Sequence, residues 1–344
     1  MNDTGDLTVA VLLATYNGVR YIEAQLASLK QNRTPFTLHW LDDHSTDGTR
    51  EAVRGLARRL GIPLVECHHE ARQGVPGAFF RLLEQVTADA YLFCDQDDIW
   101  QSGKLDVTVA EIACQAEAPY LCFSEPLLFI DETACELRRY FEVIGVSSEA
   151  AQERSRAFII NPSVGNTVGI NLSLRQVFLQ TTELAHRYAT MHDWWLYLLA
   201  RATGTINFMR AVPTTLYRQH ASNTAGVLMH KGASASRYIR GAVRRCQTHR
   251  RAVARQAHGF LQAAKMLPAS SDLEALIALA QGSAVLCRRQ SLHAVYRLAA
   301  NAMLPPHPRR AVWFALCCLL SDIEDGETPP VAESGSDTDL SCKP

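Results

Sequence analysis

Short apolar runs alternate with amphipathic stretches through the first part of the chain, and the alternation predicts a series of strands and helices. Val9–Thr15 is apolar without a break and reads as a buried strand. Tyr21–Lys30 carries Ile22, Leu26 and Leu29 at helical spacing. Leu38–Leu41 is a second strand, and Asp47–Arg59 a helix with Val53 and Leu56 inward. Pro63–Cys67, Ala78–Gln85 and Ala90–Cys94 continue as strand, helix and strand. Strands spaced by single helices imply βαβ units and a parallel sheet. Ligands of such sheets sit at the C-terminal ends of the strands. Thr15-Tyr16-Asn17, Asp42-Asp43 and Asp95–Asp98 all fall at such ends.

Beyond Leu121 the pattern is less regular. Tyr120–Ile130 predicts a strand or hairpin, Asn161–Leu174 a Gly- and Asn-rich loop and strand, and His192–Ala200 a helix start rich in aromatics. From about residue 231 the chain turns helical. Ile239, Val243, Cys246, Val253, Ala257, Phe260, Ala264 and Leu267 form one apolar stripe, with Arg237, Arg240, Arg244, Arg245, Arg251 and Arg255 largely off it. Further helices are expected at Leu273–Arg288, Leu292–Met303 and Arg310–Ile323, separated by Pro268 and Pro305-Pro306. The stretch after Asp325 is rich in Pro, Ser, Gly and Asp and is expected to be disordered. The division is therefore a catalytic domain over 1–230, a basic helical region over 231–325, and a tail over 326–344.

Composition narrows the class. The 344 residues are 47% hydrophobic and 20% charged, as in a globular enzyme. Met1–Asp6 is polar and no signal peptide is expected; the longest apolar run near the C-terminus, Ala311–Leu320, is far short of a membrane span of ~20 residues. Ten cysteines without a Cys-x-x-Cys pair fit reduced thiols and a cytoplasmic location. The net charge of −1 conceals an asymmetry: Trp194 to Ser271 holds 12 Lys and Arg and no Asp or Glu. Such a stretch could meet a polyanion or an anionic lipid surface.

The richest chemistry lies in Asp95-Gln96-Asp97-Asp98, at the end of the fourth apolar run. Crowded carboxylates need a cation or basic neighbours. Asp-x-Asp at a strand end suits a hard divalent metal that keeps open positions for phosphate oxygens, although the same acids would also suit a helix cap.

Val9–Leu105 resembles the nucleotide-binding half of an inverting family 2 glycosyltransferase of the GT-A fold. Six pieces occur in the family's order: Ala14-Thr15-Tyr16-Asn17; Leu41-Asp42-Asp43-His44-Ser45-Thr46-Asp47-Gly48-Thr49; Arg72-Gln73-Gly74-Val75; Asp95-Gln96-Asp97-Asp98 with Ile99-Trp100 and Lys104-Leu105; His192-Asp193-Trp194; and Leu216-Tyr217-Arg218-Gln219-His220. The fourth and sixth most resemble the bacterial rhamnosyltransferase subgroup. The resemblance implies an α/β fold with a mostly parallel sheet flanked by helices, followed by the α-helical C-terminal region. It covers roughly residues 7–225.

The resemblance implies a nucleotide-sugar site formed by Thr15, Tyr16, Asn17, Asp42, Asp43, Gly74, Asp95, Gln96 and Arg218. Asp43 is expected to meet a pyrimidine N3–H, with Asp42 as runner-up, and Thr15 and Tyr16 to pack on base or ribose. Asp47 is the better cap for the helix that follows. Mn²⁺ or Mg²⁺ is expected on Asp97, with Asp95 assisting through ribose or water, and His220 completing the site or touching the diphosphate. Arg218 can pair with the diphosphate. Asp193 is the expected general base, although its position also suits a helix cap. Trp194 and Trp195 are expected to wall the acceptor site, and Asp98 to contact acceptor or orient the metal site. The Ser163–Asn166 loop is expected to line the acceptor pocket.

The expected donor is a dTDP- or UDP-sugar, dTDP-rhamnose first, and the expected acceptor a glycan or lipid-linked glycan. Peripheral contact with an anionic inner membrane is expected of the basic helices, the alternative being a helical subdomain packed on the catalytic domain. A phosphatase of the haloacid dehalogenase type wants Thr or Val where Ile99 stands. A sugar nucleotidyltransferase wants a Gly-rich basic loop where Ala14–Gly18 stands. A catalytically inactive glycan-binding scaffold would have lost Asp97 or Asp193, and both are present. Nucleic acid is not an expected partner, since only Tyr238 and Phe260 interleave the arginines.

Overall fold

The computed structural model describes residues 7–115, 117–130, 137–210, 212, 215–220 and 235–286. The elements run β1 (Val9–Thr15), α1 (Ile22–Leu29), β2 (Thr37–Asp42), α2 (Thr49–Leu60), β3 (Leu64–Cys67), α3 (Gly74–Gln85), β4 (Ala90–Asp95), β5 (Ile99–Trp100) and α4 (Lys104–Ala113). They continue with β6 (Tyr120–Phe123), β7 (Leu127–Ile130), β8 (Arg138–Arg139), α5 (Tyr140–Ile144), α6 (Ser148–Gln152), β9 (Gly169–Asn171), α7 (Leu172–Gln180), α8 (Thr182–Tyr188) and α9 (His192–Thr203). The last are β10 (Thr205–Phe208), β11 (Thr215–Gln219), α10 (Ala235–Ala263) and α11 (Ser271–Leu286).

Seven strands form the main sheet in the order β10-β6-β9-β4-β1-β2-β3. β1 runs parallel to β2 and β4, and β2 to β3. β9 alone is antiparallel, wedged between β4 and β6. β1 is central, and its side chains alternate between two apolar layers. Ala10 and Leu12 face α3, α7 and α9, whereas Val9, Val11 and Leu13 face α1, α2 and α4. A smaller sheet, β5-β11-β7-β8, flanks the end of β4.

The expected elements up to β4 are present with ends shifted by a few residues. The single strand or hairpin expected at Tyr120–Ile130 is instead two strands in different sheets. Ser124-Glu125-Pro126 separates them, and Pro126 has no N–H to continue a ladder. Helices α4, α7 and α8 and strands β10 and β11 complete the fold.

From Val253 onward the apolar stripe of α10 is spent within the molecule; the side chains of Ile239, Val243 and Cys246 lie outside the described residues. Val253, Ala257, Phe260, Ala264 and Leu267 join the layer formed by α3, α7 and α9, and α11 adds Leu273, Leu276 and Ala280. Phe260 meets the Phe158 ring edge-on at 5.3 Å. Arg255 donates to the carbonyls of Tyr188 and Ala189, and Gln256 accepts from Thr190 N–H. That stripe is not available to a lipid surface over these residues. Among the described residues no helix is long and apolar enough to cross a membrane. Cys67, Cys94 and Cys122 are buried free thiols. The helices expected at Leu292–Met303 and Arg310–Ile323, the tail over 326–344, and the side chains of Arg237, Arg240, Arg244 and Arg245 lie outside the described residues.

Candidate active site

The loops after β1, β2 and β4 meet at one edge of the sheet, as the βαβ reading requires. Thr15, the last residue of β1, receives Trp40 Nε1–H at 2.9 Å and donates its hydroxyl to Asp42 at 2.9 Å. Asp42 also accepts from Ser45 N–H and Oγ and from Arg50 Nε at 2.6 Å. Burial alone would raise its pKa; the donors from Ser45, Arg50 and Thr15 outweigh that and hold it below the usual carboxylate range. Asp42 is thus saturated by its own loop. Asn17, at φ 48°, receives Thr46 N–H on its side chain at 2.8 Å and donates its own N–H to Ser45 Oγ. Asp47 accepts from Thr49 N–H at 3.1 Å, the capping role expected of it.

Asp43 is buried and braces the Gly loop. Its two oxygens accept Gln73 N–H at 2.7 Å and Gly74 N–H at 2.9 Å, with His69 Nε2 at 3.5 Å and Arg72 Nε at 3.7 Å. Two backbone bonds leave lone pairs for a further donor. Gly74 holds φ 70°, a left-handed conformation that favours glycine at the start of α3. Tyr16 is 38% exposed beside this pocket, with the Arg72 guanidinium 3.6 Å from its ring centre. Arg72 thus covers one face of the Tyr16 ring.

Gln96 clasps the backbone of the β1 loop. Tyr16 N–H donates to Oε1 at 2.9 Å, and Nε2 donates back to Tyr16 C=O at 3.0 Å. A Cβ on Gly18 would lie 2.2 Å from Oε1, so the glycine leaves room for this amide. Gln96, expected at the nucleotide, is bonded to the Tyr16 backbone.

The acids of the β4 turn separate into different roles. Asp97 is largely buried, and its Oδ2 lies 2.8 Å from His220 Nε2. The His220 ring stacks on Tyr21 at 4.8 Å. Burial, then the charges of Asp97 and Asp193, push the Asp95 carboxyl up to about 7, with Lys104 opposing. Asp98 is fully buried; it accepts Arg218 N–H at 2.9 Å and the Asn166 side-chain amide. Burial, followed by the charges of Asp97 and Asp95, raises it well above the carboxylate range. Asp98 therefore cannot touch an acceptor, and the expectation that it does is corrected: it binds the turn to β11 and the 161–167 loop. Arg218 is 6% exposed, with Nε donating to Asp97 C=O at 2.7 Å and the guanidinium over the Tyr21 and Phe129 rings.

Asp193 sits in the first turn of α9, nearly buried at 3% exposure. Burial pushes it up to about 7 against donors from Trp194 N–H, the Asn161 side chain and Gly165 N–H. Its charge is felt by Asp95 and by the buried Tyr140 phenol, so β4 and α9 bring acids 98 positions apart in sequence to one place. The tryptophans beside it do not form the expected acceptor wall. Trp195 is fully buried with Nε1 toward Thr181 Oγ1 at 3.3 Å, and Trp194, 4% exposed, donates to Ala157 C=O at 2.7 Å. From His192 to Ala200 every residue of α9 is buried, so this helix is core on all sides.

The turn offers carboxylate oxygens of the kind a small hard cation takes, but Asp97 and His220 are hydrogen-bonded to each other, and among the described residues no group of three or more His, Cys, Asp or Glu side chains is placed to hold a metal ion, which leaves an open set of donors. Mg²⁺ and Mn²⁺ are held in this open manner, by one or two carboxylates plus substrate phosphates. Sequence reading passed over Lys104 as more than a motif member, and over Asn161 and Tyr140. The signal for Lys104 was a lysine on the apolar face of α4, beside Leu105, Thr108 and Val109.

Sheet order and helical flanks together are those of the GT-A fold. Residues 10–118 match the family model described as glycosyl transferase family 2, and with the relatives below this marks the chain as a glycosyltransferase. It is 29% identical over 224 residues, 62% of this chain and 73% of the relative, to the dTDP-rhamnosyl transferase RfbG of Shigella flexneri. It is 31% identical over 106 residues, 30% of this chain and 41% of the relative, to WfgD of Escherichia coli, a UDP-Glc:α-D-GlcNAc-diphosphoundecaprenol β-1,3-glucosyltransferase. Among solved structures it resembles the mannosyltransferase PcManGT of Pyrobaculum calidifontis in complex with GDP-Man and Mn²⁺. That match has a TM-score of 0.51 at 18% identity and covers 91% of this chain and 86% of the other.

Proposed function

We propose that the enzyme transfers rhamnose from dTDP-rhamnose, with inversion, to a hydroxyl of a cell-surface or lipid-linked glycan. The observation that carries the mechanism is the convergence of Asp95, Asp97 and Asp193, close enough that the charges of Asp97 and Asp193 both act on Asp95. The similarity to a dTDP-rhamnosyl transferase supports the donor. The shorter match to a UDP-glucose enzyme keeps a UDP-sugar as the second reading.

In this reading Tyr16 packs on the pyrimidine, and Asp43 accepts its N3–H while bracing Gln73 and Gly74. Asp97, His220 and Asp95 would hold Mn²⁺ or Mg²⁺, which when bound neutralises charge on the departing nucleoside diphosphate. Asp193 takes the acceptor hydroxyl proton as that oxygen bonds to the anomeric carbon; the bond to the diphosphate oxygen breaks with its electron pair. A carboxyl poised near neutrality is suited to accept a proton at working pH. The buried tryptophans exclude water from behind it rather than stacking on sugar.

A donor panel tests the assignment: binding of dTDP-rhamnose, UDP-glucose, UDP-GlcNAc and GDP-mannose, with and without Mn²⁺. Metal-dependent binding with dTDP-rhamnose tightest is the expected result. Binding of none, or binding indifferent to metal, would overturn it. A lipid-linked acceptor would bring the protein to an anionic membrane. Because the stripe from Val253 onward is buried, such contact over that part of α10 would use exposed cations such as Arg251.

A further inference from the structure

We propose that Lys104, Asn166 and Thr215 form a buried strut that positions the 161–167 loop, and with it Asp193, against the Asp95–Asp98 turn. The proposal rests on Asp193 being the general base.

The loop has two hands. On one side Asn161 and Gly165 donate to the Asp193 carboxylate, and Ser163 Oγ lies 3.5 Å from Asp193 C=O. On the other, the Asn166 side chain donates to Asp98. The Asn166 carbonyl accepts from both Lys104 Nζ and Thr215 Oγ1, the latter at 2.9 Å. Lys104 Nζ also donates to Thr215 Oγ1 at 2.7 Å and sits 3.6 Å from the Trp100 ring centre. Within six residues one segment therefore binds the donor side and the base side of the site. Lys104, Asn166, Thr215 and Asp98 are all 2% exposed or less. A buried ammonium is costly unless compensated: burial pulls Lys104 down to about 7, the Cys94, Asp98 and Asp95 groups oppose that shift, and Lys104 in turn opposes the rise of Asp95.

These groups touch neither donor nor acceptor, so they are positioning residues. Misplacing a reacting group by about 1 Å can cost on the order of 100-fold in rate while leaving binding intact. A packing role alone would lower stability and leave the turnover of folded enzyme unchanged.

The test uses the full chain with Asn166→Ala and the milder, isosteric Thr215→Val. Turnover of dTDP-rhamnose to dTDP with water as acceptor is followed from pH 5 to 9, and dTDP affinity is measured by calorimetry. UDP-glucose and UDP replace them if the donor panel selects that sugar. Expected are a fall in kcat of about 30-fold or more for Asn166→Ala and about 3- to 10-fold for Thr215→Val, with the nucleotide Kd within about 3-fold. The acid limb of the pH profile should move in both, because donors to Asp193 are displaced. Thr215→Val folds even if Asn166→Ala does not, and wild-type kcat and pH profile in it would overturn the strut. A fall in kcat matched by an equal loss of nucleotide affinity would also overturn it. Asp193→Asn in the same assays separates the two levels. If that variant turns over normally, the base assignment fails and the strut with it. If it is inactive while Asn166→Ala is indifferent, the strut alone fails.

Discussion

Gln96→Ala isolates the clasp between the β4 turn and the β1 loop. The wild-type amide makes two bonds to the Tyr16 backbone, at 2.9 and 3.0 Å. Each is worth about 0.5–1.5 kcal/mol net, and their position at the rim of the site favours the lower half of that range. Losing both should therefore cost about 1–2 kcal/mol of order in the loop that carries Tyr16. If the nucleotide must restore that order on binding, its affinity falls by about 5- to 30-fold. The assay is calorimetric titration of dTDP and UDP into wild type and variant, beside urea denaturation of each. Gln96→Glu keeps the acceptor for Tyr16 N–H but faces the carbonyl with a carboxylate, so it should weaken binding at least as much. Wild-type affinity in a folded Gln96→Ala protein would refute the reasoning, and Gln96 would then be an ordinary loop residue.

Four further outcomes are expected. Turnover should fall below pH 7, because Asp193 works ionised and its folded pKa is raised to about 7; at pH 5 the ionised fraction is about 1%. The same raised pKa means the unfolded chain ionises Asp193 first, so stability contributed by the neutral carboxyl is full only below the ordinary value of 3.8 and lost as pH rises to about 7, a slope that urea midpoints should show diminished in Asp193→Asn. Gly165→Ala would place a Cβ 2.8 Å from His192 Nε2 and 3.4 Å from Asp193 Oδ2, and should cost about 1–3 kcal/mol with a marked loss of transfer, seen by denaturation and turnover. Flotation with anionic liposomes should show salt-sensitive binding through exposed arginines; absence of any binding would sink the membrane reading.

Much of the sheet was legible because its centre is buried on both faces. Val9–Thr15 and Ala90–Asp95 are continuous apolar runs, and α2 has a clean amphipathic face, so strand ends and their polar residues could be placed. The site was legible only as far as chain order reveals neighbours. The partners of Asp98, Asn166 and Arg218, lie 68 and 120 positions away, and nothing local in Asp97-Asp98 distinguishes a cation ligand from a buried brace. Trp194 and Trp195 misled because an aromatic pair beside an acid suits a sugar platform as well as a core. The burial of α9 from His192 to Ala200 decides for the core. The stripe on α10 was read correctly as apolar, but its partner, the layer containing Phe158 and Ala185, could not be read from periodicity.

The central claim is that the β4 acids hold the donor while Asp193 removes the acceptor proton, and Asp193→Asn tests it most directly. The amide preserves shape but cannot accept the proton. The account predicts dTDP and donor affinity within about 3-fold of wild type and transfer reduced by about 10²–10⁴-fold. Transfer within about 10-fold of wild type, or donor binding lost from a folded protein, would contradict it.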